Sequence, residues 1–223
     1  MPSEGFLLEF DTGAVGGLGD YPTPFDRGNA HRAYVSTGPA AEPVSTADMK
    51  AYLRVRTASQ NDLVDSLVKS ARAWAEGYTR RAFIDQTIKL SLDRVPRQRE
   101  LELPRPPLSS VTEVRWFADG DAVGTVFANT KYLVSTERLI GRITLERGES
   151  WPTNIRVADG LVVTYVAGYG AAAANVPADI VTAIKRIVAS LWELRKDVTV
   201  GVATGDVPYD ARSLLDTFVV PKR

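Results

Sequence analysis

The sequence predicts an α+β fold in which helices on either side of a β-rich middle build one helical bundle. Three observations carry that expectation. Apolar residues recur three and four apart near residue 65 and again near residue 185, the period drops to two between them, and prolines and glycines punctuate that middle at turn intervals. Helices are expected at about 46–55, 60–79, 177–196 and 210–217, with a β-rich insertion over about 84–167. The division that follows is an extended N-terminal arm (1–43), a bundle (44–82 plus 175–223) and an insertion (83–174).

The arm carries seven glycines and five prolines and no sustained period. Phe6, Leu7, Leu8, Phe10, Tyr21, Phe25 and Tyr34 are too apolar for a plain solvated linker, so it reads either as an arm that docks on its own domain or a neighbour, or as a partly ordered tail. Ser45-Thr46-Ala47-Asp48 has the form of a capping box with Asp in the Glu position, opening a helix with Met49, Tyr52 and Leu53 at helical spacing. Ser59-Gln60-Asn61-Asp62 repeats the signal before Leu63, Val64, Leu67, Val68, Ala71, Trp74, Ala75 and Tyr78, the broad stripe of a core helix. From Phe83 the pattern alternates, with Ile88, Leu90 and Leu92 against Lys89, Ser91 and Asp93.

Leu103-Pro104-Arg105-Pro106-Pro107-Leu108 lacks three ladder donors, so it is an extended connection or an edge. Further strands are expected at 111–117, 123–127, 132–134, 139–145 and 160–167, with Asp119-Gly120-Asp121 as a turn. After the Gly168-Tyr169-Gly170 loop, Pro177 suits the start of a helix in which Ile180, Ile184, Ile187, Val188, Leu191 and Leu194 form a stripe. Asp210 is placed to cap a last short helix bearing Leu214, Leu215 and Phe218.

Composition narrows the chemistry. With 223 residues and 44% hydrophobic content the chain buries a sizeable core. Lys plus Arg (27) balance Asp plus Glu (27), which gives no large basic footprint for gripping phosphate backbones. The absence of cysteine removes disulfides, thiolate metal sites and thiol nucleophiles, and fits folding in a reducing compartment. The single histidine, His31, sits in the Gly/Pro-rich leader and has no second histidine for a zinc site. The N-terminus has Glu4 and no basic run, and no segment reaches the roughly 20 apolar residues of a membrane span, so a soluble, unexported protein is expected.

Several patterns imitate sites. Gly13-Ala14-Val15-Gly16-Gly17-Leu18-Gly19 resembles a phosphate loop but has no strand before it, no helix signal after it and no Lys-Ser/Thr. Asp119, Asp121, Glu146, Glu149 and Asp159 match no calcium-loop spacing. Trp74, Trp116, Trp151 and Trp192 are candidate stacking platforms, with core packing the better account of Trp74 and Trp116. Trp151-Pro152, flanked by polar residues, is assigned to a subunit contact. Arg80-Arg81 and Arg94, Arg97, Arg99 and Arg105 read as solvated basic faces. No catalytic residue, cofactor site or metal site is expected, and the chain is read as a non-enzyme.

Taken in order, a set of short stretches resembles the tailed-phage head-tail connector (adaptor) family, the ring beneath the portal that is also found in phage-derived gene transfer particles. They are Pro43-Val44-Ser45 leading to Tyr52-Leu53-Arg54-Val55, the run from Ala71 to Ile84, Gln86-Thr87, Leu103 to Val111, Trp151-Pro152, Val163 to Tyr169, and Val176-Pro177-Ala178-Asp179-Ile180. The leader before Pro43 is longer than the family's, and the family's closing Leu-Leu with Tyr-Arg survives as Leu214-Leu215 with Phe218 and Val219-Val220-Pro221-Lys222-Arg223.

The resemblance implies a homo-oligomeric ring of twelve subunits in the virion neck between capsid and tail, made in the bacterial host cytoplasm. It implies the portal protein and a tail completion or stopper protein as partners, DNA passing through the lumen, and no membrane. For the portal contact the expected residues are Arg212, Leu214, Leu215, Phe218, Val219 and Val220, because an amphipathic helix with an apolar tail docks where a partner supplies a groove; the alternative is that this segment folds back on its own bundle. Subunit contacts are expected from Phe6, Leu7, Leu8 and Phe10 in the leader, and from Leu103, Pro106, Leu108 and Trp151 in the insertion. A different class is a carbohydrate- or peptide-binding module with Trp151, Tyr165 and Tyr169 as an aromatic platform, and a third is a hydrolase built on a carboxylate pair.

Overall fold

A computed structural model describes residues 31–194 and 208–221, and the fold is α+β. In chain order its elements are β1 (His31–Thr37), α1 (Thr46–Tyr52), α2 (Asn61–Thr79), β2 (Gln86–Leu92), β3 (Glu100–Glu102), β4 (Leu108–Trp116), β5 (Thr125–Val126), β6 (Tyr132–Ser135), β7 (Arg142–Leu145), β8 (Leu161–Ala167), α3 (Ala178–Leu194) and α4 (Tyr209–Asp216). The strands form two antiparallel sheets, one of five in the order β1-β2-β8-β4-β5 and one of three in the order β3-β7-β6. Among the described residues no helix is long and apolar enough to cross a membrane.

The apolar stripes behave as their spacing demands. Val64, Val68, Ala71 and Ala75 of α2 meet Ile180, Ile184, Ile187 and Val188 of α3, with Met49 of α1 and Ala211 and Leu215 of α4 completing a helical core. Leu63 and Leu191, at the margins of their stripes, stay partly exposed, while Trp192 is buried. A second core lies in the β region, where Ile88, Leu90 and Leu92 of β2 pack with Val163 and Tyr165 of β8 and with Leu103, Ile143 and Trp151. The chain switches cores within three residues: Ala82 packs into the β core, Phe83 and Ile84 into the helical one. On the return crossing, Gly168 has φ +153, and a Cβ there would meet the Asp85 nitrogen at 2.4 Å, so only glycine lets the two crossings touch.

One buried carboxylate ties the junction. Glu76, 4% exposed, accepts from the Phe83 N–H (2.9 Å) and the Gln86 amide (2.9 Å) at Oε1, and from Arg72 (2.8 Å) at Oε2. Arg72 also donates to Glu42 (2.7 Å). Burial opposes the charge on Arg72, but Glu42 and Glu76 outweigh it and hold the guanidinium's proton more firmly. Glu76 shares that one cation with Glu42, and burial raises its pKa above the ordinary 4.5 in spite of its donors.

Several expected boundaries move, each for a local reason. The stretch assigned wholly to an arm contains β1, because Ala33 and Val35 pack on the β core once β2 offers its edge; those alternations are too few to stand out between Gly and Pro. α1 ends at Tyr52, not near 55, because Arg54 turns left-handed (φ 55). Ser45 caps α1 as expected, its hydroxyl accepting from the Asp48 N–H (3.0 Å), whereas Ser59 lies in a 3-10 turn and Gln60 precedes α2 without a side-chain cap. Asp210 lies inside α4, paired with Arg186, rather than capping it. The strand expected at 123–127 shrinks to two residues and that at 139–145 begins at Arg142, while β3 was not anticipated. The end of the third helix beyond Leu194 lies outside the described residues.

Two outcomes test the junction. Glu76→Ala removes one partner of a buried pair and is expected to cost about 3–5 kcal/mol in denaturant unfolding. A carboxyl with a raised folded pKa contributes stability that is fully present below its unfolded value and is lost as pH rises through the folded one. The stability of the native chain minus that of Glu76→Gln is therefore expected to fall as pH rises from about 4.5, the ordinary glutamate value, and a pH-independent difference would contradict it.

Candidate assembly surfaces

The C-terminal segment is built onto the end of α2. There Arg80 adopts the left-handed cap conformation (φ 57), and its guanidinium donates to the Val220 carbonyl (2.9 Å). Arg81 donates from Nε to the Phe218 carbonyl (2.6 Å), the Val220 N–H donates to Thr79 O (3.0 Å), and the Tyr78 hydroxyl donates to Asp216 (2.5 Å). Four bonds on four consecutive residues of one helix end therefore fix the chain from 216 to 220. Sequence reasoning missed this use of Arg80-Arg81, assigned to a solvated face; Arg81 is in fact buried. The signal was present in an arginine pair directly after a helix that lacks a C-terminal glycine.

The six residues expected at the portal contact divide accordingly. Leu215 and Val220 are buried in their own subunit, so their side chains are committed to the bundle and not open to a partner. Leu214 and Phe218 pack partly against the helical core, and Arg212 and Val219 are half-buried. The fold-back alternative thus describes residues 208–221 of the subunit, and the surface left for docking is the outer side of Leu214, Phe218 and Val219.

The insertion residues expected at subunit contacts are also interior. Trp151 is 7% exposed, stacks on Phe127 with ring centroids 5.7 Å apart, and donates Nε1–H to the Gln98 carbonyl (3.0 Å). Its polar sequence neighbours had suggested a surface position, but its ring is buried against Phe127. Leu103, Pro106 and Leu108 are buried as well. A Cβ on Gly141 would lie 2.3 Å from Leu108 Cβ, which measures how closely that hairpin covers the proline segment. This segment stitches the two cores together: Pro106 O accepts from the Ala82 N–H (3.1 Å), Pro107 O from the Gly168 N–H (3.0 Å), and Pro104 O from the Tyr165 hydroxyl (2.7 Å). Phe6, Leu7, Leu8 and Phe10 lie outside the described residues.

The aromatic platform does not form among the described residues. Trp151 and Tyr165 are buried and Tyr169 is half-buried, so the three make no exposed aromatic platform. Burial raises the Tyr169 pKa despite its hydrogen bond from Arg81. A hollow of about 260 Å³ beside β7 is lined by Glu102, Arg138, Leu139, Ile140 and Arg142 and holds one carboxylate, not an acid pair. Asp121 spends its Oδ1 on the Gly124 and Val123 N–H groups (3.0 and 2.9 Å), which hold its carboxyl below the usual range. Among the described residues no cluster of three His, Cys, Asp or Glu is placed to hold a metal ion.

No protein-family model matches the chain, and no curated protein matches it. Solved structures do resemble it. A chain of the neck of an empty GTA particle, computed with C6 symmetry, is similar with a TM-score of 0.72 and 22% identity, over 86% of this chain and 96% of that one. A chain from the virion of a native gene transfer agent (GTA) particle gives 0.69 and 21% over 86% and 96%. One from the neck of a native GTA particle, computed with C12 symmetry, gives 0.66 and 21% over 85% and 97%. The likeness is one of fold, and it spans nearly the whole of those chains.

The burial of Trp151 has a measurable consequence. Trp151→Ala is expected to destabilise the isolated subunit by about 3–5 kcal/mol, which at this size lowers Tm by roughly 6–20 °C. A residue serving only a subunit contact would leave the subunit's own Tm unchanged. Removal of residues 217–223 is likewise expected to lower Tm, because it unties the bonds to Thr79, Arg80 and Arg81.

Proposed function

We propose that this chain is a structural subunit of a virion neck, forming a ring, probed first for twelve copies, that joins the portal vertex to the tail completion or stopper protein and lines the channel through which DNA leaves. The observation that carries the proposal is a shared fold over 86% of this chain and 96% of a chain from a GTA neck. The C6 and C12 symmetries with which two of those necks were computed favour a ring of twelve here.

The physical character of the subunit supports the reading. A closed ring needs two unlike faces per subunit meeting head to tail, and two separate apolar cores, one helical and one β, give the subunit unlike ends. Equal numbers of basic and acidic residues suit a channel wall, since strong phosphate binding would hold back the departing DNA. In this role the outer side of Leu214, Phe218 and Val219 meets the portal, and the leader with Phe6, Leu7, Leu8 and Phe10 serves contacts between subunits.

The test is genetic and morphological. Producing cells that lack this chain are expected to accumulate DNA-filled heads and separate tails, with no joined particles by electron microscopy. Complete, infectious or transfer-competent particles without the chain would overturn the proposal.

A further inference from the structure

The three-stranded sheet ends in β6, and that edge is open. The Glu146 N–H donates to Lys131 O at 2.9 Å, in register with Tyr132↔Leu145 and Leu133↔Thr144. Hydrogen-bonded pairs alternate along an antiparallel ladder, so Lys131, Leu133 and Ser135 bond to β7, and the N–H and C=O groups of Tyr132 and Val134 face away from it. Among the described residues no strand pairs with that side. The edge is also apolar: Leu133 is 58% exposed, Val134 40%, and Leu139 in the following turn 54%. An uncovered edge of this composition is a template for another strand, and natural proteins seldom leave one bare. The other outer strands differ in character: β1 presents Tyr34, Ser36 and Thr37 as its exposed residues, β3 presents Glu100 and Glu102, and β5 is only two residues long.

The sequence holds a segment suited to that edge. Glu4-Gly5-Phe6-Leu7-Leu8-Glu9-Phe10-Asp11 places Phe6, Leu8 and Phe10 at a period of two on one face, with Gly5, Leu7, Glu9 and Asp11 on the other, and its acids match Arg138 and Arg147, two exposed arginines flanking the hairpin. Neither arginine is in an ion pair among the described residues. The residues between Asp11 and β1 can span up to about 60 Å, whereas the five-stranded sheet is roughly 19 Å across at strand spacing. The chain enters β1 at one edge of that sheet and reaches β6 from β5 at the opposite edge.

We propose that residues 4–11 of one copy add as a strand to the β6 edge of a neighbouring copy. The proposal deepens the ring reading and rests on it for the neighbouring copy. A strap that leaves the β1 edge of one subunit and lands on the β6 edge of the next repeats head to tail, which is the contact a closed ring requires. The backbone of Tyr132 and Val134 supplies two donors and two acceptors, and Leu133, Val134 and Leu139 supply the apolar cover.

The chain has no cysteine, so introduced thiols are unique. Leu8→Cys chains are mixed with Leu133→Cys chains and treated with a short bismaleimide, and linked heterodimer is measured by mass spectrometry. The control pairs Leu8→Cys with Val157→Cys, whose position is 85% exposed on a different loop. The expected result is at least a ten-fold excess of heterodimer over the control. It falls to the control level when the Leu133→Cys chain also carries Val134→Pro, which removes an outward N–H and leaves the β7 ladder intact. Val134→Glu, which keeps the backbone donor and opposes the acidic segment, gives the same loss if the proline disturbs the strand. A yield equal to the control overturns the proposal, as does a link found only within single chains carrying both cysteines. Ring size on the portal protein, read separately by light scattering, distinguishes the two failures: rings unaffected by Val134→Pro and Val134→Glu overturn the edge contact alone, and a native chain that never forms rings overturns the ring reading as well.

Discussion

A single carboxylate removed from water holds this architecture together. Placing Glu76 in the interior is costly, and that cost is tolerated only because three donors from three parts of the chain converge on it: Arg72 from its own helix, the Phe83 N–H from the turn that leaves the bundle, and the Gln86 amide from the first strand of the insertion. Charge-assisted bonds are short and directional, so they fix an angle as well as supply attraction. The last turn of α2 is thereby locked to the root of β2, and Thr79, Arg80 and Arg81, on the same turn, anchor the C-terminal tail. Bundle, insertion and tail take their positions from six consecutive residues.

That arrangement explains how two cores behave as one body. Helical and β side chains segregate into separate clusters, as their periods require, and separate clusters joined by one linker would be free to swing. Here the chain crosses twice, and the crossings are bonded to each other and to the proline segment through Ala82, Asp85, Gly168 and Tyr169. In the ring proposed above, a fixed junction of this kind would matter more than a pocket, because small errors in the angle between neighbouring subunits accumulate around a circle and prevent closure.

The elements legible in the sequence were those whose own side chains declare a face: α2, α3, β2 and β8 have stripes long enough to register a period. β3 was illegible because Glu100-Leu101-Glu102 offers one apolar residue, and it exists only because β7 presents a partner. β1 was hidden for the same reason. In the tail, the amphipathic pattern of Leu214, Leu215 and Phe218 states that something covers it but not what, and the cover proved to be the subunit itself. Glu76 was missed since a glutamate on an amphipathic helix ordinarily faces water, and its three partners are separated from it by four, seven and ten positions. Trp151 was misplaced by its polar neighbours, because what buries it, the Phe127 ring and the Gln98 carbonyl, is distant in sequence.

The measurement that tests the central claim most directly is the mass of the chain in solution by light scattering, alone and with the portal protein of the same particle. The account predicts a discrete species near twelve times the 24.3 kDa subunit, either free or seated on the portal ring. A chain that remains at 24.3 kDa in the presence of portal would contradict it.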